Sequence, residues 1–199
     1  VKDSFHPASP EKIKELTNNQ EYFFYIGSLH PRKNIINLLK GFNQFKNDNN
    51  NAVKLVIGGD FLFQSNKIKS VLNELEYTDQ ITLTGRLTNE ELNTWLSGAI
   101  ALTYIPYFEG FGIPLLEAMK CKTPILTSNV TSLPEVGSDA AIYVNPESVD
   151  EIANGMNIIY KDDKLRTKLI QRGQERLKDF SWDKSAKLLW ESIQKTIHS

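Results

Sequence analysis

AIALTYIPYFEGFGIPLLEAMKC, residues 99–121, carries a strand, a glycine turn and a helix in one run. Ala99 to Ile105 is apolar without interruption and reads as a strand buried on both faces. Gly110-Phe111-Gly112 breaks it, and Gly112 to Met119 reads as a helix with Pro114 in its first turn. The same alternation extends in both directions. Upstream, Tyr22 to Ile26 (YFFYI) is a strand closed by Gly27, and Ile35, Leu38, Leu39, Phe42 and Phe45 fall on one face of the helix that follows. Val53 to Ile57 is a strand, Ser65 to Leu75 a helix, and Ile81 to Thr84 a strand. Asn89 to Leu96 is a helix opened by Thr88, with Glu91 in capping-box position. Downstream, Pro124 to Thr127 and Ala141 to Val144 are short strands. Val149 to Tyr160 is a helix with Val149, Ile152, Ala153, Met156 and Ile159 on one stripe.

Strand and helix alternating over some 120 residues indicate an α/β fold with a doubly wound parallel, Rossmann-like sheet. The last forty residues hold no strand. Lys164 to Leu177 and Trp182 to Ile197 read as extra C-terminal helices, and Ala186, Leu189, Trp190, Ile193 and Ile197 give the last one an inner face. The expectation is one domain over 1–199: a leader segment at 1–20, the α/β core at 21–145, and helices at 146–199. Asn47 to Asn51 is polar and reads as a surface turn.

Composition narrows the function. The 199 residues carry 23 Lys+Arg against 24 Asp+Glu, a net charge of −1, which gives no electrostatic case for a nucleic-acid or membrane-surface partner. Cys121 is the sole cysteine, so an internal disulfide framework and a cysteine-rich zinc site are excluded. His6, His30 and His198 lack metal-ligand spacing. No apolar run approaches the roughly 20 residues of a spanning helix. No signal-peptide pattern opens the chain, so a soluble cytoplasmic domain is expected. The chain begins at Val1 rather than Met, so either processing or truncation is expected, and with truncation the chain would be a piece of a larger protein.

In such sheets ligands bind beyond the carboxyl ends of the strands, so the segments after each strand carry the functional information. At Gly110-Phe111-Gly112 two of three side chains are missing. Backbone amides there can approach an anion, toward which the next helix aims its N-terminal dipole. A plain strand-to-helix turn is the structural alternative. Glu117 lies among Ile113, Pro114, Leu115, Leu116, Ala118 and Met119, a helix apolar on nearly every side. A carboxylate there needs donors; ribose hydroxyls or a buried cation would serve. Glu109, in the loop before, faces the same crevice, unless it is an ordinary solvated loop residue. After the first strand, Gly27-Ser28 lead to Arg32 and Lys33, in a stretch with four basic and no acidic residues between Tyr22 and Asn47. Cations at a helix start oppose its dipole, for which a bound anion such as a diphosphate is one reason; a solvated pair of charges on a βα loop is the structural alternative. Gly85-Arg86-Leu87, after the third strand, leave room for a flat base, and Ser128 to Ser132 offer hydroxyls to the crevice.

Several chemistries are absent. No G-x-x-x-x-G-K-[ST] loop occurs, Gly110-x-Gly112 is followed by Leu115 rather than a third glycine, and there is no G-x-S-x-G elbow. No D-x-D triplet occurs either, so the reading assigns diphosphate neutralisation to protein cations and amides, without a metal or cofactor.

Together these residues resemble one family. Glu109 to Glu117 is similar to the E-x7-E motif of retaining GT-B glycosyltransferases of group 1 (family 4). YIGSLHPRKNIINLLKGF, LTGRLTNEEL, YFEGFGIPLLEAMKCKTPILTSN, SLPEVGSDAAIYVNP and the FSW at 180–182 also resemble that family in order and spacing, over roughly residues 20–195. The resemblance is to its C-terminal, donor-binding domain. It implies that Glu117 binds the ribose of a UDP-, GDP- or ADP-linked sugar and that Glu109 contacts the transferred hexose. The amides of Phe111, Gly112 and Ile113, with Lys33, would hold the diphosphate, and Gly85, Arg86 and Leu87 would lie against the base. Many members carry Arg where this chain has Ser28, and the reading assigns that charge to Arg32. The acceptor, a saccharide or a lipid-linked one, would bind an N-terminal domain absent from this chain. That domain could hold the protein at the inner membrane face, and the chain alone would not turn over. A glucan- or sucrose-forming synthase of the same fold, and a non-catalytic nucleotide-binding or interaction module, are the alternatives.

Overall fold

The computed structural model describes residues 4–49, 51–60 and 65–197; Val1, Asn50 and His198 lie outside them. Six strands form one sheet: β1 (Tyr22–Ile26), β2 (Lys54–Gly58), β3 (Ile81–Gly85), β4 (Ala101–Tyr104), β5 (Ile125–Ser128) and β6 (Ile142–Val144). Every pairing is parallel and the order is β3-β2-β1-β4-β5-β6. The chain winds outward from β1 to β3, then returns to the centre and winds the other way from β4 to β6. The fold is therefore the doubly wound, Rossmann-like α/β sheet, with its topological switch between β1 and β4.

The helices are α1 (Pro10–Thr17), α2 (Ile35–Asp48), α3 (Ser65–Glu74), α4 (Asn89–Gly98), α5 (Ile113–Lys120), α6 (Leu133–Gly137), α7 (Val149–Lys161), α8 (Asp163–Arg176) and α9 (Trp182–Ile197). Right-handed crossovers running in opposite directions place their helices on opposite faces of the sheet. Accordingly α2 packs on α3 and α7, whereas α5 packs on α4, α6 and α8. Between these layers β1 is the centre of the core: Tyr22, Phe23, Phe24 and Tyr25 are buried, and Phe23 pairs with Leu55 on one side and Ala101 on the other. β3 is an edge strand, so Thr82 and Leu83 face solvent.

The carboxyl rim is closed by hydrogen bonds between successive turns. Gly27 N donates to Gly58 O at 3.0 Å, and Gly59 N donates to Gly85 O at 2.8 Å. Gly59 sits at φ +133°, and a Cβ there would lie 2.0 Å from Gly27 O, so only glycine lets these turns approach.

The structure revises several expectations. Residues 10–17 of the expected leader form α1, capped by Ser9 and packed on α4. Its polar sequence hides it, because its partner is a helix rather than the sheet. The 99–105 strand is shorter, Ala101–Tyr104, and ends ahead of Pro106, which has no N–H to give a ladder. Asn47 and Asp48 belong to the last turn of α2 rather than to a loop. The apolar stripe of α9 is not an inner face: Leu189 and Trp190 are 64% and 59% exposed. The 3.6-residue period finds an amphipathic helix but not what covers it.

Candidate active site

β1 and β4 end side by side, and the loops that leave them diverge to opposite faces of the sheet. Tyr107 N donates to Arg32 O at 2.9 Å, which holds the two loops together. Asn34, in the left-handed region at φ +57°, starts α2, and its Nδ2 donates to Ile105 O at 3.1 Å and Pro146 O at 2.7 Å. Arg32 and Lys33 belong to a short 3-10 turn just before it. They are therefore aimed at the end of β4 rather than lying inside the first turn of α2.

Three of the residues singled out above meet here. Lys33 is buried, and its Nζ donates to Glu109 Oε2 and to Tyr104 Oη. Tyr104 Oη donates to the same Glu109 Oε2 at 2.5 Å. Arg32 Nη1 reaches Phe108 O at 3.2 Å and lies 3.5 Å from Glu109 Oε2, at the exposed side. The Lys33 ammonium also stands 4.8 Å from the centre of the Tyr104 ring. On the other side of Glu109, its N–H donates to Thr131 Oγ1 at 3.3 Å, and Ser132 Oγ donates to its carbonyl at 3.0 Å. The polar 128–132 loop thus does line the crevice.

Glu109 is not an ordinary solvated loop residue; its side chain is only 17% exposed. Burial raises its pKa, but the bonds from Lys33 and Tyr104 and the charges of Lys33 and Arg32 outweigh that and hold it below the usual carboxylate value. Burial pushes the Lys33 ammonium below the usual lysine value, with Arg32 adding to the effect, while Glu109 pulls it back in part. Burial, then Glu109, raises the Tyr104 hydroxyl, which therefore stays a neutral donor. The helix-dipole cost expected of the two cations is met within the protein: both face Glu109.

The remaining predicted residues lie around this centre. Gly112 starts α5 in the left-handed region at φ +103°, and a Cβ there would lie 2.8 Å from Leu133. At the α5 N-terminus first-turn N–H groups lack intrahelical partners, and the exposed side chains of Phe111 and Ile113 border a hollow with Phe180 and Trp182. Glu117 is half-buried, because α5 packs through Leu115, Leu116, Ala118 and Met119 and leaves one side open. The expectation of a helix enclosed on nearly every side is corrected. Gly27, Ser28, Gly85, Arg86 and Leu87 line the same carboxyl rim, but Gly85 to Leu87 follow the edge strand, about 14 Å from β4 at three strand spacings. A Cβ at Gly85 or Gly110 would meet no heavy atom within 4 Å, so packing does not require glycine at either.

Tyr104 and Asn34 escaped the sequence reading. Tyr104 sits in an apolar strand run and reads as core; only its place as the last strand residue, five before Glu109, puts its hydroxyl near the crevice. Among the described residues no cluster of His, Cys, Asp and Glu converges as metal ligands, and no helix is long and apolar enough to cross a membrane.

Comparison with known proteins adds to this geometry. The family model described as glycosyl transferases group 1 matches residues 9–176. O-antigen chain mannosyltransferase B of Escherichia coli is 34% identical over 164 residues, which cover 82% of this chain and 43% of that protein. Sucrose-phosphate synthase from Thermosynechococcus elongatus superposes with a TM-score of 0.83 at 23% identity, over 98% of this chain and 50% of that one. The C-terminal domain of a group 1 glycosyl transferase, LpcC, from Francisella tularensis superposes at 0.77 and 20% identity, over 90% of this chain and 97% of that one. These two likenesses are of fold. The chain spans less than half the length of the curated relatives it matches.

Proposed function

The chain belongs to the group 1 glycosyl transferases, and from that premise we propose that it is the sugar-donor half of a retaining hexosyltransferase. The observation that carries the reading is the meeting of Arg32, Lys33 and Glu109 at the switch point between β1 and β4. A nucleoside diphosphate sugar would lie along the carboxyl rim. Its base would rest at Gly85, Arg86 and Leu87, and its ribose on Glu117. Its diphosphate would bind Lys33, Arg32, the Gly27-Ser28 turn and the amides of Phe111, Gly112 and Ile113. The hexose would reach Glu109.

Departure of the diphosphate builds negative charge on the leaving oxygens and positive character on the sugar ring. Lys33, Arg32 and the α5 amides are fixed before the reaction, so they stabilise the leaving group without reorganising solvent. Glu109, held ionised, orients the sugar and faces its developing positive charge. Arg32, exposed where Lys33 is buried, takes the charge that many relatives place at the Ser28 position. The acceptor, a saccharide or a lipid-linked one, would come from a further domain of the whole protein, so this chain alone binds donor without turnover. Because the E. coli relative is named a mannosyltransferase, nucleotide-linked mannose is the first sugar to try.

Calorimetric titration of the chain with UDP, GDP and ADP, then with their sugars, tests this. One nucleoside diphosphate should bind, and Lys33→Met should weaken it at least tenfold, about 1.4 kcal/mol. Absence of binding by all three sinks the reading.

A further inference from the structure

Lys33 holds two partners, and a bound diphosphate would compete for its ammonium with one of them, Glu109. Its ammonium has three N–H donors, and two are used on Tyr104 Oη and Glu109 Oε2. A diphosphate carries more charge than one carboxylate, so on binding it would draw the ammonium away from Glu109. It would also raise the pKa of Glu109, as any like charge does. Something else must then keep Glu109 ionised and in place. Arg32 is exposed, and its contact with the carboxylate is long, at 3.5 Å.

Tyr104 has what is required. It is the last residue of β4, a strand bonded on both sides, and it is 1% exposed. Its ring stacks on Tyr25 with centroids 6.1 Å apart, and its carbonyl accepts from Thr127 Oγ1 at 2.6 Å. It therefore cannot follow a ligand. Its hydroxyl is neutral, so a nearby diphosphate repels it no more than it repels any dipole, and its O–H already points at Glu109.

We propose that Tyr104 is a positioning residue for Glu109: it keeps the carboxylate aimed while Lys33 changes partner from Glu109 to the donor diphosphate. The inference rests on the donor-binding reading above. Among the described residues, the charged and titratable groups facing Glu109 are Lys33 and Arg32 from the β1–α2 loop, Tyr104 from β4 and Tyr25 from β1, and the segment ahead of α6 presents the Thr131 and Ser132 hydroxyls. Of these, only Tyr104 is both uncharged and bonded to the carboxylate.

The test is the titration of the Glu109 carboxyl carbon by NMR in the whole 199-residue chain, wild type and Tyr104→Phe, alone and saturated with the nucleoside diphosphate that binds. Tyr104→Phe keeps the ring and its stacking and deletes one oxygen. Its Glu109 midpoint should lie above the wild-type one in the free protein and further above it in the complex. Its nucleoside diphosphate Kd should change by less than about threefold. Tyr25→Phe is the control: the Tyr25 hydroxyl donates to Ser28 O, so its loss should leave the Glu109 midpoint in place. An unmoved midpoint in Tyr104→Phe overturns the proposal, as does an equal shift in Tyr25→Phe, which would reduce Tyr104 to a packing role. If no nucleoside diphosphate binds the wild type, the donor reading fails, while the free-state titration still reports whether Tyr104 holds Glu109.

Discussion

The switch-point crevice and helix α9 break the ordinary rule of burial in opposite senses. At the crevice charged side chains lie inside: Lys33 is 7% exposed and stands against Glu109. Along α9 large apolar side chains lie outside, from Trp182 at 73% to Ile197 at 71%. The first inversion is closed within the chain, because each buried charge has its counter-charge and its hydrogen bonds. The second is left open among the described residues. The contrast separates two kinds of chemistry: the crevice is preorganised for charge, and α9 is a surface that contributes nothing to this core. Stability should therefore respond steeply to changes at the rim and hardly at all to changes on the helix.

The steepest response belongs to the backbone that frames the crevice. Gly59→Ala places a methyl 2.0 Å from Gly27 O at a φ only glycine adopts with ease, and the turns after β1 and β2 must separate. A loss of at least about 3 kcal/mol in urea unfolding is expected. A smaller loss would show that the rim is more compliant than its hydrogen bonds imply. Lys33→Met comes next. It leaves the Glu109 carboxylate without its nearest cation, at a cost of about 2 kcal/mol, reduced from the fully buried case because Glu109 keeps some solvent and Arg32. Adding Glu109→Gln should restore part of that loss, and a double-mutant cycle measures the coupling. Strictly additive costs would mean that the pair does not act as one.

The crevice should also be the acid-sensitive part. The folded pKa of Glu109 lies below its ordinary 4.5, so the unfolded chain takes up the proton first. Its contribution is thus complete above 4.5 and is lost as pH falls through the folded value. Glu109→Gln should flatten the fall in melting temperature between pH 5 and pH 3 (about the unfolded carboxylate range). A wild-type slope retained in the variant would assign the acid response to other carboxylates.

The two regions were also unequally legible. The doubly wound class follows from YFFYI, VKLVI and the 99–105 run alternating with helices, because strands covered by helices on both faces are largely apolar. Arg32, Lys33 and Glu109 stood out because charge placed after a strand in such a sheet faces the crevice. Tyr104 did not, since a tyrosine ending an apolar strand has the same local signature whether its hydroxyl meets solvent or a carboxylate. α1 was missed because a short polar helix has no period strong enough to be read without its partner. In α9 the period was legible, but periodicity states only that one face is apolar.

That limit gives the smallest expected effect and the sharpest control. Leu189→Gln with Trp190→Gln removes two large side chains while keeping good helix formers in α9. Burying such side chains is worth about 1.5–3 kcal/mol each, but only if they are removed from water. Here they are not. Trp182 and Leu188 border a hollow shared with Phe111, Ile113, Leu116 and Phe180, whereas Leu189 and Trp190 do not line it and are 64% and 59% exposed. The double variant should therefore unfold within about 0.5 kcal/mol of the wild type. A loss of several kcal/mol in the monomer would mean that the apolar stripe finds cover against its own domain in solution. The expectation read from its period would then be right, and the contrast with the crevice would fall.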